Sequence, residues 1–164
     1  MCITAGVVVG ATYTDPTKNE KLYADEKFMR TGDLGYLDDD GYLWLTGRSK
    51  DVIMRGGHNI DPAIIEEALA GHPAVAFAGA IGQPDSYAGE LPCAYVELIA
   101  GSEVTVDELI AHAREHVSDP AACPKYIEVL DALPKTAVGK VVKPDLSRSA
   151  ITRVYDAALE NAGV

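Results

Sequence analysis

Two apolar runs, Val75 to Ile81 and Cys93 to Ile99, constrain the fold more than any other feature of the chain. Both are short, rich in Val, Ile, Phe and Tyr, and bounded by turn residues. They read as buried strands separated by the loop Gln83-Pro84-Asp85-Ser86. Helices flank them. Asp61-Pro62 supplies a cap and a first-turn proline for Ile64, Ile65, Ala68 and Leu69, and Gly71 closes that element. Thr105 with Glu108 makes a capping box before an apolar face of Val106, Leu109, Ile110, Ala113 and Val117. Tyr126 to Leu130 is a further strand. Pro144 opens a last helix with Leu146, Ala150, Val154, Ala158 and Leu159 along one side. The expected fold class is α+β, a small sheet covered by helices.

Upstream the pattern changes. Thr12 to Phe28 is polar and turn-rich, with no cap leading into an apolar face. Leu34 to Leu37 and Tyr42 to Thr46 flank Asp38-Asp39-Asp40-Gly41 and predict a hairpin with an Asp-Gly turn. Aspartates in a turn have a local hydrogen-bonding role, which accounts for the triplet without a metal. Asp51 to Met54 reads as a short strand entering Arg55-Gly56-Gly57, where glycines allow backbone shapes or close approaches that a side chain forbids. At 164 residues the whole suits one compact domain with an appendage.

Charge and cysteines narrow the function. With 14 basic against 25 acidic residues the net charge is -11, which argues against nonspecific nucleic-acid binding, since that needs clustered Lys and Arg. The apolar run Ile3 to Val9 is short, lacks a preceding basic residue and is broken by Gly6. It predicts neither a membrane span nor a secretory signal, and the expected location is the cytoplasm. Cys2, Cys93 and Cys123 are odd in number and lack C-x-x-C spacing, which suits unpaired thiols in a reducing compartment.

Two familiar site patterns fail. Gly139-Lys140 resembles the end of a Walker loop, yet Pro134 stands at the first glycine position and Val141 where a hydroxyl is required. His112 and His116 have metal-compatible helical spacing, with Cys123 a conceivable third ligand, but no base follows the first histidine as the metalloprotease pattern demands. No metal ligand set is assigned.

Three motifs occur in one order. They are Thr31-Gly32-Asp33-Leu34-Gly35, then Gly47-Arg48-Ser49-Lys50-Asp51-Val52-Ile53 with Arg55-Gly56-Gly57-His58-Asn59-Ile60, then Leu133-Pro134-Lys135-Thr136-Ala137-Val138-Gly139-Lys140. Together they resemble the adenylate-forming (AMP-binding, acyl-CoA synthetase) superfamily, in its C-terminal portion, with loop wording nearest to bacterial fatty-acyl-CoA synthetases. The resemblance implies that residues 1–49 end a larger N-terminal domain and that residues 50–164 form a mobile C-terminal domain beginning at a hinge.

It also implies an ATP-dependent ligase that converts a carboxylic acid, expected to be a fatty acid, into an acyl-adenylate and then a CoA thioester. Lys140 matches the lysine that stabilises charge on the α-phosphate. Asp33 matches the carboxylate that accepts from the ribose hydroxyls, and Arg48 the arginine that also holds the nucleotide. Lys50 matches the hinge, and Gly56 and Gly57 the loop beside the CoA channel. Mg2+ would be bound mainly outside this portion. The phosphate loop, the Mg-coordinating glutamate and the acyl pocket have no counterpart before Met1, so these residues alone are expected to be inactive.

The departures are His58, where an acidic or aromatic residue is more usual, and Ile64, which replaces a common glutamate, although Glu66 is retained. Two alternatives stand beside the CoA ligase. One is an adenylation domain loading a carrier-protein thiol, disfavoured by the acidic balance; the other is a non-catalytic module binding nucleotide or protein.

Overall fold

A computed structural model describes residues 3–4, 13–19, 22–24 and 28–163; Cys2 and most of the apolar run after it lie outside the described residues. The chain divides into two compact units, Met1–Lys50 and Asp51–Val164.

In the first unit, β1 (Ile3–Thr4), β2 (Tyr23–Ala24) and β3 (Phe28–Arg30) form an antiparallel sheet in the order β1-β3-β2. The polar stretch expected to be turns thus also contributes a short strand. A 3-10 turn, Pro16–Lys18, is capped by the Asp15 carboxylate, which accepts from Thr17 N. Next come β4 (Asp33–Leu37) and β5 (Leu43–Arg48), the predicted hairpin. Asp38 explains its turn. Its carboxylate accepts from the Tyr42 N–H at 2.8 Å, the Asp40 N–H at 3.1 Å and the Trp44 indole N–H at 2.7 Å. Those bonds, the Trp44 one foremost, hold its pKa below the ordinary value.

The second unit is built on a five-stranded sheet: β6 (Ile53–Arg55), β7 (His58–Ile60), β8 (Val75–Asp85), β9 (Gly89–Leu98) and β10 (Tyr126–Leu130). β9 is central. It pairs antiparallel with β8 along its whole length, parallel with β10, and with β6 at Arg55↔Gly89. The helices are α1 (Pro62–Ala70), α2 (Val106–His116) and α3 (Lys143–Ala162). Asp61 caps α1 and the Thr105–Glu108 box caps α2, as the sequence predicts.

Alternation along β9 assigns the two faces. Ala94 and Val96 join Ile65, Leu69, Leu109 and Ala113 in one cluster under α1 and α2, whereas Cys93 and Tyr95 join Leu133, Leu146 and Ala150 under α3. A strand buried on both faces is apolar at successive positions, which is why these runs dominate the sequence.

One expectation requires correction. Gln83, Pro84 and Asp85 are not loop but the end of β8, and the turn is confined to residues 86–88. Pro84 is tolerated because β8 has β9 as its sole strand neighbour among the described residues, and an edge strand can place the missing N–H on its unpaired side. In α3 only Leu146 and Ala150 are buried, while Leu159 is half exposed. The second half of the helix lies beside the β8–β9 turn, where Val154, Tyr155 and Ala158 line a shallow cleft with Pro84, Asp85 and Ser86.

Candidate functional site

Lys140 stands at the base of a tight hairpin. The Thr136 N–H donates to Lys140 O at 2.8 Å and the Gly139 N–H to Thr136 O at 2.8 Å, with Lys135 paired to Val141 behind them. Gly139 has φ +80°, the left-handed position that closes a four-residue turn and that a side chain would strain. The Lys140 N–H in turn donates to Thr136 Oγ1 at 3.1 Å. The Pro-Lys-Thr-x-x-Gly-Lys wording is therefore first a recipe for a rigid turn.

Side chains alternate across such a pair. Val141 packs on the cluster under α3, and Lys135 lies against the sheet, its ammonium 2.8 Å from Glu97 and 3.6 Å from the Phe77 ring centroid. Lys140 and Thr136 fall on the opposite, exposed face. Beyond the turn, Lys143 pairs with Glu66 at 2.8 Å. Among the described residues no carboxylate lies within ion-pair distance of the Lys140 ammonium, whereas the lysines on either side are neutralised.

In the first unit Asp33 and Arg48 are cross-strand partners in β4 and β5, with Arg48 Nε donating to Asp33 Oδ1 at 3.0 Å. That bond, seconded by Thr31 and opposed by burial, holds the Asp33 carboxyl below its ordinary range. Lys50 is exposed in the turn that leaves β5 and is the last residue of this unit.

Gly56 and Gly57 form the two-residue turn between β6 and β7, with φ +54° and +88°. Two successive left-handed residues are the signature of a type I′ hairpin, so glycine is required here by conformation. A Cβ on either would meet nothing within 4 Å, which leaves the turn open to an approaching ligand. Gly56 also lines a cleft of about 660 Å³ with Arg55, His58, Asp85, Tyr87 and Ala121. Arg55 braces it by donating to Ala121 O at 2.6 Å.

His112 and His116 do not converge on a point. Their rings stack at 4.0 Å with 25° between planes; His112 Nε2 lies 3.0 Å from Ala68 O and His116 Nδ1 2.8 Å from His112 O. Their helical spacing serves the junction of α1 with α2. Cys123 is buried against Ala68 and Val117, and burial pushes the Cys93 thiol up to about 11.

The fold and these turns define a class. Residues 64–140 match the AMP-binding enzyme C-terminal domain. Over 141 residues it is 49% identical to a marinolic acid–CoA ligase of Pseudoalteromonas sp. (strain SANK 73390), covering 86% of this chain and 22% of the relative. It is 38% identical to a long-chain-fatty-acid–CoA ligase of Bacillus subtilis (strain 168), covering 86% and 25%. The anthranilate CoA ligase AuaEII in complex with anthranoyl-AMP superposes with a TM-score of 0.80 at 29% identity, covering 93% of this chain and 30% of that one. ATP-bound MatB from Rhodopseudomonas palustris gives 0.75 at 31% identity, covering 83% and 27%. The chain thus spans about a quarter of the length of the curated relatives it matches.

The support of the Lys140 turn leaves no local signal in the sequence. Glu97 lies 38 residues from Lys135 in the chain, and no local spacing signals the pair. Gly79 was likewise silent, although a Cβ there would stand 2.8 Å from Leu146 Cδ1 and 2.9 Å from Val141 Cγ1.

Proposed function

We propose that the chain is the C-terminal portion of an AMP-forming acyl-CoA ligase, with residues 1–49 closing its larger domain and residues 50–164 forming its mobile one. The observation that carries this reading is the Lys140 ammonium, exposed on a hydrogen-bonded turn and without a carboxylate partner among the described residues, between two neutralised lysines. A carboxylate attacking the α-phosphate of ATP builds negative charge there, and a positioned ammonium stabilises that transition state more than the ground state. Asp33 accepts from the ribose hydroxyls while Arg48 fixes its carboxylate and contacts the nucleotide.

Departure of pyrophosphate leaves the acyl-adenylate. Rotation about Lys50 then withdraws Lys140 and brings Gly56 and Gly57 beside the CoA thiol, which displaces AMP. Thiolysis of an activated acyl group needs positioning and exclusion of water more than new covalent chemistry. The acid is fatty on this reading, supported by the long-chain-fatty-acid–CoA ligase relative, and the enzyme works in the cytoplasm. Mg2+ would be held mainly by residues outside this portion.

The test is acid-dependent exchange of labelled pyrophosphate into ATP by the complete ligase carrying this chain, followed by addition of CoA or of a carrier protein. Exchange and CoA thioester formation are expected with fatty acids. Exchange with transfer only to the carrier would replace CoA as the acceptor, and absence of exchange across carboxylic acids would end the ligase reading.

A further inference from the structure

The hairpin bearing Lys140 is anchored by one carboxylate on each arm. On the incoming arm, Glu97 of β9 accepts the Leu133 N–H at 2.8 Å and the Lys135 ammonium on both oxygens, at 2.8 and 2.9 Å. On the outgoing arm, Glu66 of α1 accepts the Ala80 N–H at 2.8 Å and the Lys143 ammonium at 2.8 Å with a single oxygen. These pairs differ from the surface pair Arg148–Asp145. The side chains of Lys135 and Glu97 are 23% and 17% exposed and those of Lys143 and Glu66 22% and 26%, against 76% and 46% for Arg148 and Asp145.

Partial burial and the added backbone bond make each clamp specific in direction, which an exposed pair is not. The Glu97 carboxyl is held below its ordinary range, first by the Lys135 bond and then by the Leu133 N–H.

We propose that Glu97 and Glu66 are positioning residues for Lys140, fixing both arms of its hairpin to the sheet and α1 while neutralising Lys135 and Lys143. The inference rests on the reading of Lys140 as the adenylation lysine. Two consequences follow from the geometry. The turn is tied at Leu133, Lys135, Val141 and Lys143, so the Lys140 backbone has little room to drift. The two neighbouring ammonium groups are also compensated, so an anionic nucleotide meets one uncompensated lysine on this turn rather than three competing ones. Neither carboxylate touches substrate in this scheme; both act through the turn.

The experiment compares Glu97→Gln, Lys135→Gln and Glu66→Gln with Lys140→Ala in the complete ligase. Pyrophosphate exchange and conversion of presynthesised acyl-adenylate to thioester are timed separately, and thermal unfolding is followed for each variant. Glu97→Gln keeps an acceptor for the Leu133 N–H and removes only the ion pair, and Lys135→Gln removes the same pair from its other side.

Each clamp variant is expected to lose about tenfold in exchange, the scale of a modest misplacement, with the thioester step within about twofold of wild type. The reversed pair Glu97→Lys with Lys135→Glu is expected to recover part of the exchange lost by Glu97→Gln. Wild-type exchange in the clamp variants, with exchange lost in Lys140→Ala, overturns the positioning role alone. Equal loss of both steps marks a merely structural role and overturns it as well. Unchanged exchange in Lys140→Ala removes the reading of Lys140, and this inference falls with it.

Discussion

Arg48 Nε lies 3.0 Å from Asp33 Oδ1 because the two residues face each other at the open end of the β4–β5 hairpin, fifteen positions apart in the chain. Two residues from separate motifs are thus one unit, and the arginine holds the carboxylate's pKa below its ordinary value.

Their coupling is open to titration. The Asp33 pKa is depressed below 3.8, chiefly by the Arg48 bond. A depressed acid contributes stability that is fully present above 3.8 and is lost as pH falls through the lower folded value. Carboxyl carbon NMR of the chain is expected to show Asp33 titrating below 3.8 in wild type and moving up toward it in Arg48→Ala. An unchanged Asp33 curve in the variant would dissolve the pair in solution. Because both side chains are substantially exposed, the change in stability itself is expected to be small.

Gly79 tests how closely the Lys140 hairpin docks. A Cβ would meet Leu146 Cδ1 at 2.8 Å and Val141 Cγ1 at 2.9 Å. Leu146 is 1% exposed and has nowhere to move. Gly79→Ala is therefore expected to destabilise the second unit by about 1–3 kcal/mol, the usual cost of overpacking, read as a lower urea midpoint. A midpoint at or above that of wild type would show that the hairpin and α3 shift freely on the sheet.

Much of this second unit was legible in the sequence, for physical reasons that differ by element. Asp61-Pro62 and the Thr105–Glu108 box declare their helices because capping is local. The apolar run of β9 declares itself because both of its faces are covered. The end of β8 reads as loop in the sequence because Pro84 is a turn signal wherever the edge position of a strand is unknown. In α3, periodicity reports an apolar stripe without saying how far the sheet extends beneath it, and only Leu146 and Ala150 are buried. Around the Lys140 turn, Glu97 and Gly79 make tertiary contacts that leave no short-range pattern.

His112 gives the α1–α2 junction a dependence on acid. Its pKa is lowered from 6.5 first by desolvation and then by His116, with His72 adding to the effect; the Ala68 carbonyl and Glu115 act in the opposite direction. A base harder to protonate when folded stabilises above 6.5, and that contribution declines as pH falls below 6.5 toward the folded value. The urea midpoint is expected to fall between about pH 7 and about pH 5, and to fall less in His112→Gln, which keeps an N–H donor for Ala68 O. Parallel pH profiles for the two proteins would remove His112 from the account.

Lys50 is the residue at which the chain passes from one compact unit to the other. On the proposed hinge role, Lys50→Pro in the complete ligase fixes one φ and restricts the dihedrals that must change between the two half-reactions. Pyrophosphate exchange is expected to be largely kept and thioester formation from presynthesised adenylate impaired. Equal loss in the two assays would place the pivot elsewhere.

Lys140 carries the heaviest chemical claim. Its ammonium is assigned to charge that develops only while the α-phosphate is attacked, so Lys140→Ala in the complete ligase is expected to slow adenylation by about two to three powers of ten, as when one such donor is removed. Conversion of presynthesised acyl-adenylate to acyl-CoA is expected to change far less, because on the proposed rotation Lys140 leaves the site before thiolysis. Lys140→Arg is expected to rescue poorly: the hairpin fixes the Lys140 backbone, and a broad planar fork on the same stem cannot reproduce a compact charge. Acylation of the Lys140 amine removes that charge and should reproduce the alanine pattern. The flanking lysines supply the internal control. Lys135 and Lys143 are already held by Glu97 and Glu66, so neither can substitute for the missing ammonium without breaking its own pair. If Lys140→Ala exchanges pyrophosphate at the wild-type rate, or loses both steps equally, the turn bears some other function and Lys140 is not the adenylation lysine.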